Sequence, residues 1–359
     1  MEESNRYPEI TWDIGTAYDY FISLRILHDP DEYGLRPAWA SGMRQRLPSR
    51  DREVLETFHT HLTISPPFKW IHSLPDPKDS ATMLHSAQAL SPVDRICTLI
   101  GLSEDDPDLQ DIIRNVISSG EWHEEDVNEV LSIYKAKYDK SESAKKLKTK
   151  FEHWAKAAEL SDDVFRALQT YYEVFFVDEE QRIKPALQKG LAQAQERSQS
   201  LTLPDLLEEL SHGVRYTEDH FLGHDNLILA PSFWGSPFLF FSAQKPNILL
   251  FGARPDNESL VPGELVPDAL MASFNALSDP TRLRILRYLS SETLTPTQLA
   301  TRLRLRTPTV LYHIKTLRSA GLVYVIPGPT KKEVHYQTRA EKLNQACDML
   351  KQFVHEQEE

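Results

Sequence analysis

Between residues 279 and 308 the chain repeats one helix-start device three times: Asp279-Pro280, Thr295-Pro296 and Thr307-Pro308. In each, a side chain that can accept a backbone N–H precedes a proline, whose ring suits the first helical position, where no amide donor is needed. Starts so closely spaced leave room only for short helices, and short helices persist when their apolar stripes bury one another. The stripes are present: Leu283, Leu286 and Leu289, then Leu299, Ala300 and Leu303, then Val310, Leu311, Ile314 and Leu317. Gly321 supplies a stop for the third helix. Two alternating segments follow, 322–326 and 333–338, joined by the turn PGPTKK, and read as a hairpin.

A helix over 269–277 precedes this set, and one over 340–356 follows it, with Leu343, Ala346, Met349, Leu350 and Phe353 along one side. Helix, helix, turn, helix and a two-stranded hairpin make a winged helix-turn-helix. Charge sharpens this reading. The whole chain carries −13, yet residues 280–340 hold eleven Lys or Arg against Glu292 and Glu333. That segment is +9, which leaves −22 on the rest. Local rather than total charge sets attraction to phosphate, so a basic module attached to an acidic domain is expected to bind nucleic acid.

FNALSDPTRLRILRYL, TPTQLATRLRL, TPTVLYHIKTLRSAGLVYV and the basic wing together resemble the ArsR-type transcriptional regulators. The resemblance spans about residues 269–349. It implies that the helix over 307–320 lies in the major groove of double-stranded DNA, that the wing over 322–338 lies on the backbone, and that the first and last helices pair two subunits as a homodimer. Two-fold symmetry then predicts an operator that is an imperfect inverted repeat. Metal-sensing members carry paired cysteines on the helix matching 296–304, or histidine and carboxylate pairs on the last helix. Here the first has no cysteine and the last offers Cys347, Asp348, His355 and Glu356, which do not reproduce the pairing; no metal site and no cofactor are expected.

A helix fits the major groove, and its first turns reach base edges. Thr307, Thr309, Tyr312 and His313 are therefore the base-side candidates. Arg304, Arg306, Lys315, Arg318, Lys331 and Lys332 suit phosphate, where each contact adds salt-dependent affinity without reading sequence. Arg282, Arg284 and Arg287 are ambiguous. Leu311 either meets a thymine methyl from an exposed position or joins the core.

The remainder predicts a mainly α (α+β) chain: a helical domain over 1–251, closed by short strands near 226–251, a linker over 252–267 and the winged helix over 268–359. Residues 17–27 are dense enough in Tyr, Phe, Ile and Leu for a buried helix, and Asp29-Pro30 ends it. The proline-punctuated stretch ISPPFKWIHSLPDP reads as a long surface loop that packs back on the body. Phe151, Trp154, Val164, Leu168, Tyr171, Tyr172 and Phe175 form aromatic and aliphatic stripes that suit a core, or a core that also lines a ligand cavity. ILAPSFWGSPFLFF followed by NILLFGARP resembles an uncharacterised domain that precedes the winged helix in a subset of these regulators.

Catalytic signatures are missing: the chain has no Gly-rich phosphate loop, no G-x-S-x-G and no H-E-x-x-H, so an enzyme is not expected. His59 and His61, two apart, would face different ways on a helix. His212, Glu218, Asp219, His220, His224 and Asp225 read as a polar loop before a strand, with metal analysis as the check on an enzymatic alternative. Cys97 reads as a small buried apolar residue. Two cysteines, an acidic N-terminus without an apolar run, and no stretch of roughly 20 apolar residues place the chain in the cytoplasm and off the membrane. The expected function is a DNA-binding transcriptional regulator controlled through its N-terminal domain, which senses a small-molecule effector, dimerises or contacts a partner. The alternative is an adaptor whose winged helix docks a protein.

Overall fold

Helix α1 (Thr16–His28) is apolar around most of its circumference, and Tyr18, Tyr20, Ile22 and Ile26 are fully buried. A helix with no polar face must be covered on every side, and the N-terminal domain of this computed structural model is built around it. The structure describes residues 7–102, 107–138, 143–215, 226–242, 247–328 and 333–355. Against α1 pack α2 (Pro30–Tyr33), α3 (Pro37–Gln45), α5 (Phe68–Ser73) and α6 (Ser80–Gln88), while α4 (Ser49–Thr57) and α7 (Pro92–Leu99) belong to the same half of the domain. The set continues with α8 (Pro107–Ser119), α9 (Glu124–Tyr138), α10 (Ala144–Trp154), α11 (Ala157–Tyr171), α12 (Val177–Ser198) and α13 (Leu203–Leu210). Helix α4 runs on as a π-helical turn, Phe58–Leu62, and a second such turn, Tyr172–Phe176, joins α11 to α12. Phe151, Trp154, Val164, Leu168, Tyr171 and Phe175 are all core residues, while Tyr172 is only partly buried.

Strands β1 (Glu9–Trp12), β2 (Asn226–Ser232), β3 (Phe240–Ser242) and β4 (Asn247–Gly252) form one sheet in the order β1-β2-β4-β3. The β1, β2 and β4 pairings are parallel, and β3 runs antiparallel to β4. The strands near 226–251 are thus present, with 237–242 reduced to three paired residues. Strand β1 was not expected from EITW, because its partner lies more than two hundred residues downstream. The Asp19 carboxylate locks α1 to the end of β2: it accepts from Ser232 Oγ at 2.7 Å and from the Trp234 and Phe233 amides at 2.8 and 3.0 Å.

Two readings of this region change. The stretch 64–77 is not a plain loop, since α5 forms within it and buries Phe68 and Ile71 in the core. After Gly252, which ends β4, the segment to 267 has no regular element but is pinned at both sides: Arg182 of α12 donates to the Ser259 and Leu260 carbonyls at 3.2 and 3.3 Å, Ser259 Oγ and the Leu260 amide donate to Asp268 at 2.9 and 2.7 Å, and Leu260 is buried.

The C-terminal elements are α14 (Asp268–Leu277), α15 (Pro280–Leu289), α16 (Pro296–Leu303), α17 (Thr307–Ser319), β5 (Val323–Pro327), β6 (Val334–Thr338) and α18 (Ala340–His355). Their core joins Ile285, Leu286, Leu289, Leu299, Leu303, Val310, Ile314 and Leu317. Two of the three helix starts work as read: Asp279 accepts from the Thr281 and Arg282 amides, and Thr295 forms a capping box with Gln298. The third does not. Helix α17 already includes Thr307, Arg306 is its N-cap, and no side chain caps it. Leu283 is also corrected: it is 49% exposed, and Ile285 takes the buried place beside Leu286 and Leu289. Positions 282, 285, 286 and 289 share the inward face at helical spacing, and that turns 283 outward.

Candidate nucleic-acid interface

Val310, Ile314 and Leu317 seat α17 on the domain core, which fixes what the other side presents. Pro308, Thr309, Leu311, Tyr312, Lys315 and Arg318 are exposed along it, with Tyr312 at 67% and Leu311 at 44%. Leu311 therefore stands at the surface rather than in the core. Thr307 is half-buried, and its hydroxyl makes no capping bond. Arg304 and Arg306 are exposed in the turn that leads into α17. Arg304 adopts φ 56°, a left-handed conformation that a side chain disfavours; there it closes α16, its amide bonded to Thr301 O.

His313 sits differently from the other base-side candidates. Its side chain is only 13% exposed, and Nδ1 lies 3.8 Å from the Asp279 carboxylate, buried and without a hydrogen-bond partner. That position points into the junction of α15 and α17 rather than along the outer face. Its ring meets Tyr312 edge-on at 5.8 Å. Lys331 and Lys332 lie outside the described residues, as do residues 218–225 of the polar cluster.

The ambiguous arginines separate by contact. Arg282 is structural: buried, it donates to the Ala276 and Asn275 carbonyls at 2.7 and 2.6 Å and so closes the end of α14. Arg284 and Arg287 are exposed. Arg302 forms a forked pair with Glu292 at 2.8 and 2.6 Å.

Nothing in the sequence pointed to the next feature. The wing is extended by a strand-like segment from the N-terminal domain: the Arg215 amide donates to Val325 O and the Val325 amide to Gly213 O, both at 2.9 Å. On the other edge Leu294 bridges Tyr336. Arg215 stacks over the Tyr324 ring at 3.6 Å and reaches Gln337 at 2.8 Å, while Arg339 donates to His212 O at 2.6 Å. A second contact crosses to the outer face of α17, where Lys315 Nζ is 2.9 Å from the Glu32 carboxylate. Glu32 belongs to α2.

Among the remaining candidates, His59 and His61 sit in the π-helical turn; His59 stacks on His28 and His61 on His153. Cys97 is buried, and desolvation pushes its thiol up to about 11, which keeps it protonated and unreactive. Among the described residues no helix is long and apolar enough to cross a membrane.

Residues 277–326 match the model of a helix-turn-helix domain family. Among solved structures the chain is similar to an ArsR-like transcriptional regulator from Rhodococcus sp. RHA1, with 31% identity over 23% of this chain and 75% of that one, at a TM-score of 0.22. No curated protein matches the chain. The segment matched by the family model runs from the end of α14 through α15, α16 and α17 into β5. Through its C-terminal domain, the chain belongs to the ArsR-type winged helix-turn-helix family.

Proposed function

We propose that the protein is a sequence-specific, double-stranded-DNA-binding transcriptional regulator that works as a cytoplasmic homodimer and is controlled through its N-terminal domain. The observation that carries this is the make-up of α17, buried on one side by Val310, Ile314 and Leu317 and exposing Thr309, Tyr312, Lys315 and Arg318 on the other. Thr309 and Tyr312 read base edges in the major groove, with Thr307 at the helix start. Lys315, Arg318, Arg304 and Arg306, with Lys331 and Lys332 of the wing, hold phosphates. His313, packed toward Asp279, acts by bracing the helix that carries the readers.

Dimerisation through the first and last helices of the domain is supported by their apolar exposure. Met271 and Phe274 of α14 are 57% and 36% exposed, and Leu350 and Val354 of α18 are 37% and 66% exposed. Control by the N-terminal domain is supported by the two contacts that cross to the DNA-binding elements, at the wing and at Lys315. An anionic side chain against a phosphate-binding lysine competes with DNA for it.

Selection of bound fragments from genomic DNA, followed by footprinting, tests the reading. Protection of an imperfect inverted repeat with half-sites about one helical turn apart is expected. Binding that ignores sequence, or no binding at low salt, sinks it and favours the adaptor alternative.

A further inference from the structure

A cleft opens in the N-terminal domain where α1 ends. A cavity of about 380 Å³ is bounded by α1, the π-helical turn Phe58–Leu62 and Lys150 of α10. That volume falls within the roughly 300–1,000 Å³ of small-molecule sites. Phe21, Phe58 and Ile64 line one part of it, and Arg25 and Lys150 supply positive charge. The one carboxylate at its wall, Asp29, is already engaged by His59 Nε2 at 2.9 Å.

Arg25 is the informative residue. Its Nε donates to Tyr33 Oη at 2.9 Å, and among the described residues no carboxylate lies within ion-pair distance of it. A half-buried guanidinium with no carboxylate keeps its two terminal nitrogens for a planar anion, which it grips in fork geometry. The π-helical turn is a second, independent mark, because such turns are rare and recur at functional sites. It is this turn that brings His59 and Thr60 to the cavity.

We propose that this cavity binds a small amphipathic carboxylate, with its head on Arg25 and Lys150 and its apolar body against Phe21, Phe58 and Ile64. This rests on the reading that the N-terminal domain controls DNA binding, and it supplies that control with a ligand and a route. Arg25 holds Tyr33, the last residue of α2, and Tyr33 adjoins Glu32, which holds Lys315 of α17. A carboxylate that draws the Arg25 guanidinium toward the cavity weakens its bond to Tyr33. Helix α2 is four residues long, so loosening its end shifts Glu32 relative to Lys315.

Calorimetric titration of the full chain with octanoate and phenylacetate, and with their uncharged amides, tests the site. Binding of the acids is expected to be at least about tenfold tighter than that of the amides, the difference one charge-assisted hydrogen bond makes. Arg25→Gln should lose about the same factor, and Lys150→Gln serves as an independent variant should the first unfold. No binding of either acid to the folded protein, equal binding of amides, or unchanged binding in both folded variants overturns the proposal. DNA affinity measured with and without the acid separates the two claims. Acid that binds without altering DNA affinity leaves the pocket standing and overturns its effector role, whereas control by the N-terminal domain is tested without any ligand by Glu32→Gln. Tyr33→Phe, which removes the hydroxyl Arg25 holds without touching the cavity wall, should keep acid binding and lose its effect on DNA.

Discussion

Glu32 of the N-terminal domain holds Lys315 of α17 at 2.9 Å, with both side chains at least half exposed. An exposed pair of this kind contributes little to stability, at most about 1 kcal/mol. Its consequence lies in competition. Glu32→Gln is therefore expected to leave thermal stability nearly unchanged and to raise DNA affinity about twofold to fivefold at low salt, with the gain shrinking as salt rises. Equal affinity of wild type and variant in a salt-titrated binding assay would remove the role given to this contact.

Base reading and phosphate holding have different signatures. Thr309→Val and Tyr312→Phe should compress the ratio of operator to random-DNA affinity, by about 1–3 kcal/mol where a lost contact was a good one. Arg318→Gln should weaken all sequences alike and lower the salt slope by about one. Competition binding against a fixed panel of mutated operators distinguishes them. If Tyr312→Phe behaves like Arg318→Gln, Tyr312 contacts phosphate instead of a base.

The exposed apolar residues of α14 and α18 predict an assembly defect. Met271→Glu combined with Leu350→Glu should leave the monomer folded, because both side chains already meet water. It should also convert a dimer to a monomer in sedimentation and reduce operator affinity by at least about tenfold, since one half-site contact is lost. A wild-type chain that sediments as a monomer at assay concentrations contradicts the symmetric model.

A pH test falls on His212, at the domain junction, where its ring packs on Gly252 and burial lowers its pKa from 6.5 to about 4. A histidine whose folded-state pKa is depressed favours the neutral form, so its contribution is complete above pH 6.5 and is lost as pH falls toward 4. The size is about 3 kcal/mol. His212 sits at φ 54°, which asparagine tolerates, so His212→Asn keeps the backbone and removes the titration. Denaturation between pH 7 and about 4 should show a shallower loss of stability in the variant. Asp19, raised to about 6 by burial, gains stability over the same acid range, and comparison with wild type cancels its opposite sign.

Local code carried the winged helix. Asp279, Thr295 and Gln298 cap helices through neighbours two or three residues away, and Gly321 takes the left-handed turn at φ 67° that ends α17, so short-range physics fixes those boundaries. Thr307 shows the limit even there. A helix that begins one residue earlier turns a would-be cap into a first-turn residue with an unused hydroxyl, and no local pattern distinguishes the two. His313 sits further inward than expected, and the choice left open for Leu311 falls to the surface, for the same reason: a helix's inward face is set by what it packs on, and periodicity alone leaves a turn of latitude.

The sequence by itself determined most of the helices of the winged-helix domain, where the basic module lies, and to which family it belongs, because caps, periodicity and charge are properties of neighbouring residues. Only the tertiary structure decided that residues 213–215 extend the wing, that β1 pairs with β2, that Glu32 reaches Lys315, and that Arg25 faces a cavity with no carboxylate partner among the described residues. Each joins segments up to hundreds of residues apart. Such contacts follow from how whole surfaces bury one another, and no short-range preference encodes them.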